Sequence, residues 1–344
     1  MFGIDRRALK VVWTLFLFAL ALLVVYKIAR TLVVFALALF LAHLLSPAVD
    51  FLERLLPKGT KRGAALAIVY LVMTGVVVSI AIPVGSKIGQ QAVILANRLP
   101  EAVASHPLER IPLPSWLEPQ REPLSQFLSE RLQELGSNIL PSLSQAGRRI
   151  LTGLGSLLNA ILIPILSFFF LTSGAALRRG LVNAFDMPSR PLVDGILDDL
   201  HYLLSHYIRA LLLLAIATFL AFSIFLSLAG VPYAILLAGS AAALEVIPVL
   251  GPLIAAVSIV LVTALSGYAH VLWIVIFLTL YRLFQDYVLS PYLMGSGVEV
   301  PPLLVLLGVL AGNQLAGIPG MFFSVPVIAA LRIVVVRMRK SHGA

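Results

Sequence analysis

Glu245, Arg282 and Asp286 are ionisable residues that stand inside long apolar stretches of this 344-residue sequence. A charge placed there is costly enough to mark an ion, proton or substrate pathway by default. Arg282 and Asp286 are four apart, so a helix puts them on one face where each satisfies the other, and Gln285 lies beside them. Glu245 has no such local partner. Protonation, a bound ion, or Arg282 brought close by the fold must compensate it. A carboxylate that gains and loses a proton as its access alternates is a coupling site, and that is the chemistry expected of Glu245. Asn313 and Gln314 supply polar groups in a second apolar run.

Other chemistries are poorly served. There is no cysteine, which excludes disulfides, thiolate nucleophiles and cysteine-based metal sites. His201 and His206 are five apart, not the i, i+4 that stacks two ligands on one helix face. No Walker-type phosphate loop is present, so direct coupling to ATP is not supported. No metal and no cofactor is expected; the coupling ion would be H⁺ or Na⁺. Glu245 and Asp286 could serve an intramembrane protease as paired acids. Gly295-Ser296-Gly297-Val298-Glu299 faintly resembles the Gly-x-Gly-Asp motif of such enzymes, but its acid is offset. The chain reads as a non-enzyme.

The elements that must position these groups are two related broken runs, residues 233–266 and 301–336. The first reads VPYAILLAGSAAALEVIPVLGPLIAAVSIV from Val231, the second VPPLLVLLGVLAGNQLAGIPGMFFSVPVIAA from Val300. Each opens on Val-Pro, passes through small apolar residues, carries polar groups, reaches Ile-Pro and a nearby Gly, and resumes as an apolar helix. A complete span precedes each, at 209–229 and 269–289. Proline removes a helical hydrogen bond and clashes with the preceding turn, and backbone groups freed in a bilayer cost several kcal/mol each unless satisfied. Paired interruptions of this kind point to a transporter's midplane site. The runs are expected as re-entrant hairpins with tips at 247–251 and 318–320, in inverted topology, or else as long broken spans. The candidate binding residues are Glu245, Pro248, Gly251, Arg282, Gln285, Asp286, Asn313, Gln314 and Pro319. The candidate hinge residues are Ile247, Pro252, Pro291, Gly317, Gly320 and Pro326.

The rest of the chain is built for a membrane. Hydrophobic residues make up 60% and charged residues only 12%, about half the charged share of a soluble domain; the mean hydropathy is +1.01. Apolar runs lie at 11–26, 31–45, 64–83, 151–172, 209–229, 233–266, 269–289 and 301–336. The expected fold is therefore all-α and polytopic, with about eight membrane segments. The N-terminal basic patch and apolar stretch resemble a signal peptide, but a second apolar run follows at once, so a retained first span is expected. The net charge of +9 is scattered in short clusters, without the basic stripe of a nucleic-acid binder. With a cytoplasmic N-terminus, the inside segments hold Arg6, Arg7, Lys10, Arg54, Lys58, Lys61, Arg62, Arg178, Arg179, Arg190, Arg332, Arg337, Arg339 and Lys340. The short first outside loop holds Lys27 and Arg30. Both termini are accordingly expected in the cytoplasm.

The chain divides into N-terminal spans at 1–84, a polar segment at 85–150 and a C-terminal membrane region at 151–344. In the polar segment Leu124, Phe127, Leu128, Leu132, Leu135, Ile139 and Leu143 form one apolar helix face, with Pro123 in its first turn. That face suits the membrane surface, the chain's own spans, or a partner contact. A second amphipathic helix is expected at 189–208, with Asp194, Asp198, Asp199 and His201 on its solvated face.

At this point the residues resemble the autoinducer-2 exporter family of bacterial membrane proteins. The matching text is Ile247-Pro248-Val249-Leu250-Gly251-Pro252, Asp286-Tyr287-Val288-Leu289-Ser290-Pro291 with Gly295, Pro302-Leu303-Leu304-Val305-Leu306-Leu307, Gly317-Ile318-Pro319-Gly320 and Val325-Pro326. Ser46-Pro47-Ala48-Val49-Asp50, Pro164-Ile165-Leu166-Ser167-Phe168-Phe169 and Tyr207-Ile208-Arg209 precede them in order. The chain departs from the family's pattern at Ala210, Leu211, Asn313 and Gln285. The resemblance implies a homo-oligomeric carrier of the eight-segment class; some members export autoinducer-2 and others are described as Na⁺(Li⁺)/H⁺ antiporters. The leading expectation is a secondary transporter, an exporter of a small polar solute working by alternating access. A cation/proton antiporter on the same scaffold is the alternative, and a non-transporting membrane scaffold a further one.

Overall fold

The computed structural model describes residues 6–57, 62–104, 157–294 and 301–342, together with 141, 144, 145, 147 and 148. No strand occurs among the described residues. In chain order the helices are α1 (Arg6–Lys27), α2 (Ala29–Leu55), α3 (Arg62–Ala104), α4 (Leu157–Asn183), α5 (Arg190–Leu228), α6 (Ala234–Leu244), α7 (Leu250–Leu265), α8 (Val271–Phe284), α9 (Ser290–Met294) and α10 (Pro302–His342). A π-helical turn, Gln285–Leu289, joins α8 to α9.

Among the described residues, six helical stretches are long and apolar enough to cross a membrane: Thr31–Leu55, Arg62–Arg98, Ile161–Asn183, Met187–Leu228, Val271–Leu293 and Pro302–Arg339. Val12–Lys27, Ala234–Leu244 and Leu250–Leu265 are shorter apolar helices. The protein is thus an all-α, polytopic membrane protein, as its composition implies. The 11 residues of α6 rise only about 16 Å and the 16 of α7 about 24 Å, against a hydrocarbon core of about 30 Å. Neither crosses alone. The long helices overshoot: α3 has 43 residues, about 65 Å of helix.

Two boundaries differ from the sequence reading. α3 continues past residue 84 to Ala104 without a break. The amphipathic stretch at 189–208 and the span at 209–229 are one helix, α5. Its buried stripe (Leu203, Tyr207, Leu211, Leu214, Thr218, Phe222, Leu226) keeps spacings of three and four throughout, so nothing in the pattern calls for an end at residue 208. The apolar face at 124–143, Pro123 and the segment 295–299 lie outside the described residues.

The chain forms two compact units. Unit 1 comprises Met1–Ser46, Leu158–His201 and Val300–Ala344; unit 2 comprises Pro47–Leu157 and Tyr202–Glu299. In unit 1, Phe40 of α2 meets Phe322 of α10 edge-on at 4.9 Å between centroids. The acidic residues expected on a solvated face are partly exposed and are also ion-paired. Arg178 of α4 takes Asp194 at 2.7 Å and Asp198 at 2.6 Å, and Arg337 of α10 grips both oxygens of Asp199 at 2.7 and 2.8 Å. His201 is also engaged, its Nδ1 lying 3.2 Å from Nε2 of His43.

The second broken run, α10, belongs wholly to unit 1. Its helical geometry fails at Ala316 (φ −146°, ψ 16°) and Gly317 (φ 62°, ψ −140°). The chain reverses there. Gly312 of the first arm and Gly320 of the second touch backbone to backbone, and Gly308 faces Ser324 and Ile328. Gly308 and Gly312 on one arm and Gly320 and Ser324 on the other recur every four positions, which sets a seam of small residues along each arm. Residues 302–315 and 318–342 are therefore the two arms of a helical hairpin. Its turn comes at 316–317, two residues before the expected tip at 318–320. Pro319 does not break the helix; it sits in the first turn of the second arm, where its missing N–H has no partner to lose. The break is made by Gly317, whose positive φ suits a residue without Cβ.

Candidate functional site

Unit 2 holds the first broken run. α6 ends at Leu244, five residues turn, and α7 begins at Leu250. The two helices pack on one another and on α5 and α8 through Phe222, Leu226, Leu237, Ala238, Ala241, Ala255, Ile259, Ile274 and Leu278. α3 supports the start of α6. The side-chain oxygen of Gln91 accepts from the Leu236 N–H at 2.7 Å, one of the first-turn donors that the helix cannot satisfy itself. Gly239 leaves room for Ile88. This pair of short helices is the first hairpin.

Its turn is tight. Val249 has φ 65° and ψ −55°, and the Leu250 N–H donates to the Pro248 carbonyl at 2.7 Å. This is a γ-turn of the rare, strained hand, held here by a β-branched residue. A Cβ on Gly251 would collide with the Leu244 carbonyl, so the second helix can start only because that position is glycine. Pro252 falls in the first turn of α7, as Pro319 does in its hairpin. In both, the residue of positive φ immediately precedes the second arm: Val249 here, Gly317 there. Aligned on their turns, the two runs thus match Val249 with Gly317, not Pro248 with Pro319.

Glu245 stands at the C-terminus of α6, at the mouth of this turn, and is 8% exposed. Its Oε1 accepts from the Thr218 hydroxyl of α5 at 3.2 Å, and its Oε2 accepts from the Gln285 amide nitrogen at 2.9 Å. Thr218 and Gln285 are both buried. The Tyr281 hydroxyl of α8 lies 3.0 Å from Thr218 Oγ1 and completes the group. The sequence reading offered a proton, an ion or Arg282 to compensate Glu245. The fold supplies neutral donors from two other helices, one to each carboxylate oxygen.

Gln285 reaches Glu245 from the π-turn. The Ser290 N–H donates to the Gln285 carbonyl, five residues back, and Pro291 follows. A proline ring clashes with the carbonyl four residues earlier, that of Tyr287; the wider π register relieves that clash, and such turns are frequent at functional sites. Pro291 is therefore tied to the placement of Gln285 and not to a chain reversal.

Arg282 and Asp286 pair with each other at 2.8 Å, both side chains less than half exposed. They neighbour the Glu245 group without bonding to it among the described contacts. Ile247 is buried and Pro248 half-buried within the turn. Asn313 and Gln314 are exposed on the first arm of α10, and Pro326 is buried in the second. They belong to unit 1, whereas Glu245, Gln285, Arg282 and Asp286 belong to unit 2. Thr218 and Tyr281 were not anticipated. Thr218 carries a readable signal: it is the one hydroxyl at helical spacing in the apolar stripe Leu211, Leu214, Phe222, Leu226. No group of three or more metal-ligating side chains occurs among the described residues.

Comparison with known proteins agrees with this architecture. Residues 15–340 match the AI-2E family transporter profile. YueF of Bacillus subtilis, described as a candidate transport protein, is 28% identical over 84% of this chain and 79% of its own length. YrrI of the same organism, described in the same terms, is 30% identical over 54% of this chain, and the match spans about half of its own length, 53%. A candidate transport protein of Mycobacterium tuberculosis is 30% identical over 49% of this chain and 47% of its own. A multi-pass helical chain, two helical hairpins and a match from residue 15 to residue 340 lead to one conclusion: this is a membrane transport protein of the AI-2E family.

Proposed function

We propose that the chain is a secondary transporter that exports a small polar solute across the bacterial inner membrane by alternating access, with Glu245 as the carboxylate that exchanges the coupling proton. The observation that carries the reading is a buried carboxylate, at the turn of a hairpin too short to span, held by donors from two neighbouring helices. Helices broken in this manner present freed backbone groups and helix ends to a solute or ion. The names of the related proteins agree with transport. We take both termini as cytoplasmic on the distribution of Lys and Arg, and the working form as a homo-oligomer in the lipid bilayer on the family resemblance.

A second reading has its own support. Glu245 Oε1 and Oε2, Thr218 Oγ1 and Tyr281 Oη bring four oxygens together, and hard cations prefer oxygen ligands. Exchange of Na⁺ or Li⁺ for H⁺ on the same carboxylate is the alternative. Purified protein in proteoliposomes, given a panel of small polar solutes under imposed H⁺ and Na⁺ gradients, tests both. Solute flux that follows the H⁺ gradient and disappears in Glu245→Gln is the expected result. A proton signal on Na⁺ or Li⁺ pulses without solute flux favours the antiporter. Transport and pH dependence unchanged in Glu245→Gln would exclude Glu245 from either role.

A further inference from the structure

We propose that Tyr281 and Thr218 form the hydroxyl path along which a proton reaches Glu245, and that Gln285 fixes which carboxylate oxygen receives it. The proposal rests on the reading of Glu245 as the exchanging carboxylate and adds the route.

The argument starts from hydrogen counting. A threonine hydroxyl has one hydrogen, and an ionised carboxylate only accepts. Thr218 donates to Glu245 Oε1 at 3.2 Å, so in the 3.0 Å contact between the two hydroxyls Tyr281 must be the donor. The chain then runs Tyr281 O–H to Thr218 O–H to Glu245 Oε1. When a water-borne hydronium gives a proton to Tyr281 Oη, the phenol's own proton passes to Thr218 Oγ1 and that of Thr218 passes to Oε1. One O–H bond forms and one breaks at each hydroxyl, the carboxylate ends neutral, and water is left behind. The product is the same set of heavy atoms with every hydrogen bond reversed: Glu245 donates to Thr218, and Thr218 to Tyr281. Both polarities satisfy every buried oxygen, so the side chains need not move.

Gln285 removes the alternative. Its amide nitrogen faces Oε2 at 2.9 Å and donates there, so in this orientation of the amide a proton on Oε2 would leave two hydrogens opposed. The proton belongs on Oε1, at the end of the hydroxyl chain. The surroundings direct the route as well. Phe222 packs edge-on against Tyr281 with centroids 5.0 Å apart, and Phe277 lies at 6.1 Å. Thr218 is 1% exposed while Tyr281 is half-buried, so the phenol is the less enclosed end of the chain. The charges acting on Glu245 through space are Arg282 and Asp286, and these are already paired with each other.

The test needs no solute. Reconstituted protein is subjected to a rapid pH drop, and the infrared C=O band of the protonated carboxyl is followed in time, with Glu245→Gln assigning the band. Tyr281→Phe keeps the ring and its stacking, Thr218→Val keeps the shape, and Thr218→Ser restores the hydroxyl. The expected result is a band whose rise, normalised to each variant's own final amplitude, is at least about tenfold slower in Tyr281→Phe and Thr218→Val, with the wild-type rate in Thr218→Ser. Wild-type rates in both hydroxyl-deleted variants would overturn the path while leaving Glu245 as the exchanging group. A slow rise in Thr218→Ser would also overturn it, since a structural defect rather than a missing hydroxyl would then be responsible. Absence of any Glu245 band in the wild type across the pH jump would overturn the exchange reading itself, and the path with it.

Discussion

Gly312 and Gly320 sit on opposite arms of α10, each so close to the other's carbonyl that a Cβ on either would collide with it. The collision is with backbone, which cannot swing aside as a side-chain tip can. Gly320→Ala should therefore destabilise the protein by about 1–3 kcal/mol. Gly75 of α3 has open space around its missing Cβ, and Gly75→Ala should be neutral or stabilising by up to about 1 kcal/mol. Thermal unfolding in detergent separates the two, and equal melting of Gly320→Ala and wild type would mean the arms are not packed.

Val249 offers the opposite sign. A β-branched residue at φ 65° stores about 1–3 kcal/mol of strain, and glycine would release it at an entropic cost of about 0.5–1 kcal/mol. Val249 is 49% exposed, so little packing goes with its side chain. Val249→Gly should melt higher than wild type, by an amount equivalent to about 1 kcal/mol. The γ-turn is also the point where Glu245's helix meets α7, so initial transport rates belong in the same comparison. A lower melting temperature would show that the turn is not strained.

The ion pair between Asp199 and Arg337 joins α5 to α10 with both carboxylate oxygens engaged. Gly195 makes room for it, since a Cβ there would lie 2.9 Å from Arg337 Nη1. Both side chains are about 40% exposed, so solvent screens the pair. A double-mutant cycle with Asp199→Asn and Arg337→Gln should give a coupling of no more than about 1 kcal/mol, smaller still in high salt. A coupling several times larger would mean the pair is sealed from water.

These three relationships differ in how far they were legible in the sequence. Apolar run length locates nearly every helix, because a bilayer demands about 20 apolar residues and little else does. The two broken runs were legible from Pro and Gly, yet the mechanism of breaking was not. Pro319 and Pro252 begin second arms, while Gly317 and Val249 make the turns; a valine at positive φ carries no sequence signal at all. Glu245 was legible because a lone carboxylate in an apolar run is conspicuous. Its partners were not, because Thr218 is 27 residues away and Gln285 is 40, and only the packing of α5, α6 and α8 brings them together. The ion pairs on the acidic face of α5 were not legible because their arginines come from α4 and α10, at 16 and 138 residues' distance.

The 2.9 Å contact between Gln285 Nε2 and Glu245 Oε2 allows the site to be tested by exchange of its two residues. Gln285→Glu alone puts two carboxyl groups at hydrogen-bond distance in a buried place, where they can coexist only by sharing a proton. Raising the pH strips that proton and leaves two like charges in contact. The variant's stability should therefore fall relative to wild type as pH rises, and approach the wild-type value as pH falls. Glu245→Gln/Gln285→Glu restores one carboxyl and one amide, merely swapped between α6 and the π-turn, and should recover most of the stability at every pH. The carboxyl then no longer faces Thr218 from the end of α6, so H⁺-driven transport should stay impaired although folding is rescued. A double variant no more stable than Gln285→Glu would show that the cluster does not tolerate the exchange, and full recovery of coupled transport would show that the carboxyl's position within it is immaterial.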